Sequence, residues 1–149
     1  MENTKILFFD DDKYLGDIIQ KSLKDIYNYD VAFFSEIPDF FNAIKSNVQY
    51  DLFILDIMIP LIDGTGKSIS EKNFFSEDEI SESKQGLNTG EILFKKIREI
   101  EKYKQTPVLF YSAKKSLDTI EKDDYTDFIQ KPVLVRDVDK KIKEMLKKN

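Results

Sequence analysis

Side chains that could do chemistry stand directly after four short apolar runs of the sequence. They are, in chain order, Asp10, Asp11, Asp12, Asp56, Ser112 and Lys131. If the runs are parallel strands, their carboxyl ends meet at one edge of a sheet, and these polar groups converge there. Three carboxylates brought within a few ångströms repel one another unless a cation or a proton intervenes. The pattern therefore predicts an acidic pocket at a sheet edge.

The residue types of this pocket suit a hard cation and phosphoryl chemistry. The 149-residue chain has no Cys and no His, which excludes zinc sites, Cys nucleophiles and His-based triads. Carboxylates, a backbone carbonyl and water are the ligands that Mg²⁺ favours. With Lys131 as a point cation and Ser112 as a hydroxyl donor, the edge could bind a phosphoryl group on Asp56, whose carboxylate would be the nucleophile.

Each of these residues taken alone also has a purely structural explanation. Asp12 and Ser112 can each cap a helix. Asp56 can begin a turn, and Lys131 can be a solvated surface charge. Because short motifs of this kind often occur by chance, the chemical hypothesis depends on the joint arrangement.

The elements that would position the pocket alternate along the chain. Strands are predicted by β-like apolar runs at residues 5–9, 30–34, 52–55, 108–111 and 127–130. Helices are predicted by one-sided apolar patterns at residues 14–26, 38–48, 91–103 and 135–146, with a weaker pattern near 116–122. This alternation predicts an α/β fold with a doubly wound parallel sheet and helices on both of its faces.

The first predicted helix has an apolar face that we expect to pack on the sheet. Its members are Leu15, Ile18, Ile19, Leu23 and Ile26. The runs at 6–9 and 52–55 are apolar without alternation, which is typical of central strands buried on both sides.

Composition and charge narrow the function classes. The length of 149 residues fits a single domain over 1–149. A net charge of −5 argues against binding of nucleic-acid phosphates as the main function. No apolar run approaches eighteen residues and no cleavable signal pattern opens the chain, so we expect a cytoplasmic protein without membrane contact.

Four segments of the chain resemble the receiver domains of two-component response regulators, of the chemotaxis-regulator type. Residues 6–12 are similar to the first strand of that family with its acidic pair, and residues 51–60 to its phosphoacceptor segment. Residues 108–113 are similar to the strand with the switch hydroxyl, and residues 128–132 to the Lys-Pro turn with its preceding aromatic. The resemblance covers nearly the whole chain outside residues 65–89.

The resemblance implies a role in phosphorelay signal transduction. Asp56 would take a phosphoryl group from a phosphohistidine of a partner, either a histidine kinase or a histidine phosphotransfer protein. Asp10 and Asp11, with Asp56 and the backbone carbonyl of Met58, would hold Mg²⁺ as the cofactor. The chain would be a signalling receiver that catalyses only its own phosphorylation and dephosphorylation, with no direct binding to nucleic acid.

The same resemblance assigns the remaining pocket residues and the topology. Ser112 would bond a phosphoryl oxygen, and Lys131 would pair with the phosphoryl charge. A move of Ser112 would be coupled to a rotamer change of Phe128, so that a bound phosphoryl group switches an interaction surface for a downstream protein. The implied sheet is five-stranded and flavodoxin-like, with strand order 2-1-3-4-5.

Residues 65–89 are extra relative to this family. The remaining 124 residues match one compact domain, and the segment is polar, with five Ser, five acidic residues and three Lys. Within the run 75–80 a capping box and a hydrophobic staple predict a short helix over about residues 77–84. We expect this inserted segment to lie beside Asp56 and to restrict access to it.

Two other functions remain open. In a haloacid-dehalogenase-type phosphohydrolase, Asp10 would be the nucleophile and Asp12 the acid, with Ser112 and Lys131 as later motifs. That family needs a further acidic pair after the lysine, and it would leave Asp56 without a role. The second alternative is a binding module with a receiver fold but no phosphorylation, and the complete set of pocket residues argues against it.

Overall fold

Five parallel strands form one sheet in the computed structural model, which describes residues 3–57, 89–113 and 123–147, together with Asp78. The strands are β1 (Lys5–Phe9), β2 (Asp30–Phe34), β3 (Leu52–Leu55), β4 (Val108–Ser112) and β5 (Thr126–Gln130). Their order in the sheet is β2-β1-β3-β4-β5, and every neighbouring pair is parallel. The predicted fold class and strand order are therefore confirmed, and β4 and β5 are each one residue longer than predicted.

Four α-helices within the described residues accompany this sheet. They are α1 (Lys13–Asp25), α2 (Ile37–Lys45), α3 (Thr89–Glu99) and α4 (Val135–Lys147), and a short 3₁₀ helix (Glu101–Tyr103) follows α3. Helix α2 ends three residues earlier than predicted, because Ser46 is extended and its hydroxyl donates to the carbonyl of Ala43 at 2.7 Å. None of the helices in the described part of the chain is long and apolar enough to span a membrane.

Two predicted helices fall on residues that the structure does not describe. The weak pattern near 116–122 lies outside the described residues. So does the helix over 77–84, except for Asp78, whose backbone is helical and whose side chain is exposed.

The sheet carries a core on each face, which explains why β1, β3 and β4 are continuously apolar. One cluster packs the sheet against α2 and α3, and its aromatic members include Phe9, Phe40, Phe53, Phe94 and Phe110. The other packs the opposite face against α1 and α4, and it includes Phe8, Leu23, Tyr111, Val138 and Ile142. Alternate residues of each central strand enter opposite clusters, so the strand ends are fixed from both sides.

The predicted apolar face of α1 is only partly correct. Ile19 and Leu23 are buried, but Ile18 is 44% exposed and Ile26 is 66% exposed. The reason is the close approach of α1 to β2: a Cβ on Gly16 would lie 2.1 Å from the Phe33 ring. The buried stripe therefore runs through Gly16, Ile19 and Leu23, which turns Ile18 outward, and Ile26 lies beyond the last residue of the helix.

Arg98 of α3 fixes the segment that leads into β5. Its guanidinium donates to both carboxylate oxygens of Asp123, at 2.7 and 3.3 Å. It also donates to the backbone carbonyls of Tyr103 and Thr106, at 2.7 and 2.8 Å. A planar guanidinium bonded in this way is a rigid link, so the start of β5 is fixed relative to α3.

Candidate functional site

Asp10 and Asp56 continue two neighbouring strands past their last residues. The Asp10 amide donates to the Phe34 carbonyl at 3.2 Å, and the Asp56 amide donates to the Phe9 carbonyl at 3.0 Å. Asp10 is fully buried and Asp56 is 4% exposed. Because the sheet's hydrogen bonding extends to these residues, their carboxylates meet at the carboxyl edge, as the sequence predicts.

Lys131 reaches this edge from the end of β5. Its backbone amide donates to the Ser112 carbonyl at 2.8 Å, which extends the pairing of β4 with β5. Its ammonium Nζ lies 2.9 Å from Asp10 Oδ2 and 3.2 Å from Asp56 Oδ2. One lysine therefore bridges the two buried carboxylates.

Asp11 joins the two buried carboxylates from the solvent side. Oxygens of Asp10, Asp11 and Asp56 all lie within 4.8 Å of one another, and Asp11 is exposed. An all-oxygen, carboxylate-rich set of this kind fits Mg²⁺ and not a thiolate- or imidazole-preferring metal. Met58, whose carbonyl was predicted to complete the set, lies outside the described residues.

The charges of the site shift the pKa values of two of its members. Although Asp11 is exposed, partial desolvation beside the two buried carboxylates raises its pKa, and the charge of neighbouring Asp10 raises it further. Burial acts to lower the pKa of Lys131, but the hydrogen bond to Asp10 and the charges of Asp56 and Asp10 outweigh it, so that pKa is raised. Both directions are those expected where negative charge exceeds positive charge.

Asp12 caps helix α1 and is not part of the carboxylate cluster. Its carboxylate accepts a hydrogen bond from the Leu15 amide at 3.0 Å and caps the amino end of α1. Its own amide donates to Asp10 Oδ1 at 3.0 Å and so helps to orient that carboxylate. Of the three consecutive aspartates, two therefore face the site and one begins the helix.

Ser112 and Phe128, the predicted switch pair, lie on adjacent strands. Ser112 is the last residue of β4 and is fully buried. Phe128 stands opposite Phe110 in the pairing of β4 with β5, and it packs, partly buried, against the cluster that contains α3. The coupling between the two side chains stays a prediction.

Tyr111 contacts the site, which the sequence pattern did not predict. Lys131 Nζ lies 4.7 Å from the centroid of the Tyr111 ring, and Tyr111 is 2% exposed. Burial raises the pKa of the Tyr111 phenol, so the ring stays neutral. The only sequence signal was an aromatic residue directly before Ser112.

Gly90 is a second contact that the sequence pattern missed. Its amide donates to the Ile57 carbonyl at 2.9 Å, and a Cβ at this position would lie 2.2 Å from the Asp56 carbonyl oxygen. The first turn of α3 therefore packs on the backbone that carries Asp56. Thr89, the last residue of the predicted insert, is also the first residue of α3 and is fully buried.

Gly90→Ala is expected to destabilise the protein by about 1–3 kcal/mol, because the new methyl group meets backbone that cannot move without moving Asp56. Denaturant unfolding monitored by circular dichroism measures the change. Gly16→Ala is the control, since its methyl group meets the outer end of the Phe33 ring, which can shift. A Gly90 variant no less stable than the Gly16 variant would contradict this packing.

Asp11→Asn is expected to raise the melting temperature in metal-free buffer at neutral pH, because it removes one of three mutually repelling charges. The pKa of Asp11 is raised in the folded protein, so folding takes up a proton and wild-type stability falls as the pH rises through that titration. The benefit of the substitution should therefore shrink toward acidic pH.

The same variant tests metal binding. Millimolar Mg²⁺ should raise the melting temperature of the wild type and have less effect on Asp11→Asn. Asp12→Asn removes the same charge outside the cluster and keeps a good helix cap, so it should respond to Mg²⁺ as the wild type does. Equal responses of all three proteins would exclude the site.

The fold agrees with solved receiver domains over nearly the whole chain. A CheY-like response regulator receiver domain from Methanospirillum hungatei JF-1 is 20% identical with a TM-score of 0.67, covering 99% of this chain and 96% of that chain. The chemotaxis protein CheY4 of Vibrio cholerae is 16% identical with a TM-score of 0.69, covering 97% and 99%. A response regulator receiver protein from Sinorhizobium medicae WSM419 is 18% identical with a TM-score of 0.69, covering 98% and 96%.

At these identities the likeness concerns the fold. No protein-family model and no curated protein sequence matches the chain. The resemblance noted from the sequence is confirmed at the structural level: the chain has the fold of CheY-like response regulator receiver domains.

Proposed function

We propose that this chain is a phosphoacceptor receiver domain of a two-component phosphorelay, with Asp56 as the residue that is phosphorylated. One observation carries the proposal. The Asp56 carboxylate lies at the carboxyl edge of a receiver-type sheet, clustered with Asp10 and Asp11 and bonded to Lys131 at 3.2 Å. A nucleophile, a cation site and a fixed positive charge are thereby combined at one point.

The phosphoryl group would come from a phosphohistidine of a partner histidine kinase or phosphotransfer protein, which supplies the imidazole that this chain lacks. An oxygen of the Asp56 carboxylate bonds to phosphorus as the P–N bond breaks, and the partner's imidazole leaves with the electron pair. Asp10, Asp11 and Asp56, with the Met58 carbonyl, would hold Mg²⁺, which supplies positive charge for the phosphoryl oxygens when bound.

Lys131 and Ser112 act on the phosphoryl group once it is in place. Lys131 pairs with its charge, and the Ser112 hydroxyl donates to one of its oxygens. The inward move of Ser112 vacates space in which Phe128 changes rotamer, so that a covalent event at Asp56 alters a surface read by a downstream protein.

The phosphohydrolase alternative gains no support from the contacts. It requires Asp12 as an acid, but this carboxylate accepts from the Leu15 amide as a helix cap. Its nucleophile would be Asp10, whose two carboxylate oxygens accept hydrogen bonds from the Asp12 amide and from Lys131. The non-phosphorylated binding module shares the observed geometry, and a labelling experiment separates it from the proposal.

Incubation with acetyl phosphate should add one phosphoryl group to the wild type only when Mg²⁺ is present. Asp56→Asn should lose the modification, because a side-chain amide is too weak a nucleophile to attack phosphorus. Asp12→Asn should keep the modification, because Asp12 lies outside the carboxylate cluster. Mass spectrometry of the intact protein and of its peptides measures the extent and the position.

The other outcomes identify the alternatives. A label on Asp10, retained in Asp56→Asn, would support the phosphohydrolase. Absence of any label, with beryllofluoride also failing to bind in the presence of Mg²⁺, would support the binding module.

Replacing the predicted insert 65–89, apart from the buried Thr89, with a short turn should preserve the fold and change the rate of phosphorylation or dephosphorylation. The hydrogen bond from Gly90 to Ile57 brings both ends of this connection beside Asp56, so whatever joins them begins and ends at the site. Circular dichroism and phosphate-release kinetics test the two parts. Unchanged rates and partner choice would make the insert a neutral surface loop, and unfolding would make it part of the core.

A further inference from the structure

The Lys131 ammonium has three partners in the described structure, and only two of them are carboxylates. Nζ lies 2.9 Å from Asp10 Oδ2 and 3.2 Å from Asp56 Oδ2. The third partner is the face of the Tyr111 ring, 4.7 Å from Nζ to the centroid. This distance is within the range in which an ammonium is attracted to an aromatic face.

The ring itself is fixed by the core. Tyr111 is 2% exposed, and its ring meets Phe8 edge-to-face, with centroids 6.0 Å apart. Its strand is paired on both sides, with β3 and with β5. The Tyr111 ring is therefore held in place by its core neighbours and by the pairing of its strand, independently of the charges of the site.

The contacts of Lys131 with the two carboxylates differ between the unphosphorylated protein and the proposed phosphorylated, Mg²⁺-bound protein. Phosphorylation converts the Asp56 carboxylate into an acyl phosphate, and Asp10 is one of the proposed ligands of Mg²⁺. The ammonium must exchange both contacts, and lysine has four rotatable side-chain bonds over which it can lose its position. The ring face is neutral and is unchanged by either event.

We propose that Tyr111 is a positioning residue for Lys131, whose aromatic face keeps the ammonium at the sheet edge while its carboxylate contacts are exchanged for phosphoryl oxygens. This inference rests on the proposed function. It assigns to Tyr111 a part in phosphorylation that its place in the apolar core does not by itself require.

The test compares Tyr111→Phe, which keeps the ring face, with Tyr111→Leu, which removes it, in the full chain. In the unphosphorylated, metal-free protein, NMR should show the Lys131 ε-methylene protons shifted upfield by the ring in the wild type and in Tyr111→Phe. Tyr111→Leu should lose this shift. With acetyl phosphate and Mg²⁺, Tyr111→Leu should be phosphorylated about 3- to 30-fold more slowly, the range expected for loss of one cation–π contact.

A Lys131→Met background distinguishes positioning from packing. If Tyr111 acts through the ammonium, the Phe and Leu variants should have the same rate once Lys131 is gone. A difference that persists in this background, or an upfield shift retained in Tyr111→Leu, overturns the proposal. Should Tyr111→Leu fail to fold by circular dichroism, Tyr111→Met fills the space without an aromatic face and takes its place.

Failure of the proposed function gives a different result. A wild type that accepts no phosphate overturns the phosphoacceptor role, and the NMR comparison still decides whether the Tyr111 ring holds Lys131. If the wild type is phosphorylated and Tyr111→Leu is phosphorylated equally fast, the phosphoacceptor role stands and the role of Tyr111 is overturned.

Discussion

The ammonium of Lys131 compensates two carboxylates that the fold buries side by side. Asp10 is fully buried and Asp56 nearly so, and neither could carry its charge there without a counter-charge within hydrogen-bonding distance. The compensation is incomplete, because one positive charge faces two negative charges and Asp11 adds a third carboxylate to the cluster. The site therefore retains negative charge that a further cation can neutralise, and this excess is the basis of its proposed chemistry.

The backbone prevents the carboxylates from relieving their repulsion by moving apart. Asp10, Asp56 and Lys131 each donate a backbone hydrogen bond to a residue of an adjacent strand. Their spacing is consequently set by the distance between strands, about 4.8 Å for each neighbouring pair. Since the strands are fixed by an apolar cluster on each face, the repulsion is held in place by the core and can be reduced only by charge.

The sequence predicted the features that depend on the pattern within a single strand or helix. It did not predict the contacts that depend on how two elements pack together. Continuous apolar runs and their polar ends predicted the strands and the convergent edge, because those follow from parallel pairing alone. The exposure of Ile18 depends on the contact of Gly16 with Phe33, and no pattern within α1 contains it. Likewise, the approach of Gly90 to the backbone of Asp56 joins residues that are far apart in the chain, so its spacing carried no signal.

Under the proposed function, phosphorylation moves negative charge outward from the sheet edge. The Asp56 carboxylate loses its charge when it becomes an acyl phosphate, and the phosphoryl oxygens carry charge farther from the core. Asp10 stays where its strand fixes it, so the inner part of the site becomes less negative and the outer part more so. Of the described side chains that contact both buried carboxylates, Lys131 is the one with a long flexible stem, and its backbone is anchored to Ser112. The charge that can follow the phosphoryl group is thus tied through its backbone to Ser112, which gives a physical route from the bond formed at Asp56 to the proposed move of the Ser112 hydroxyl.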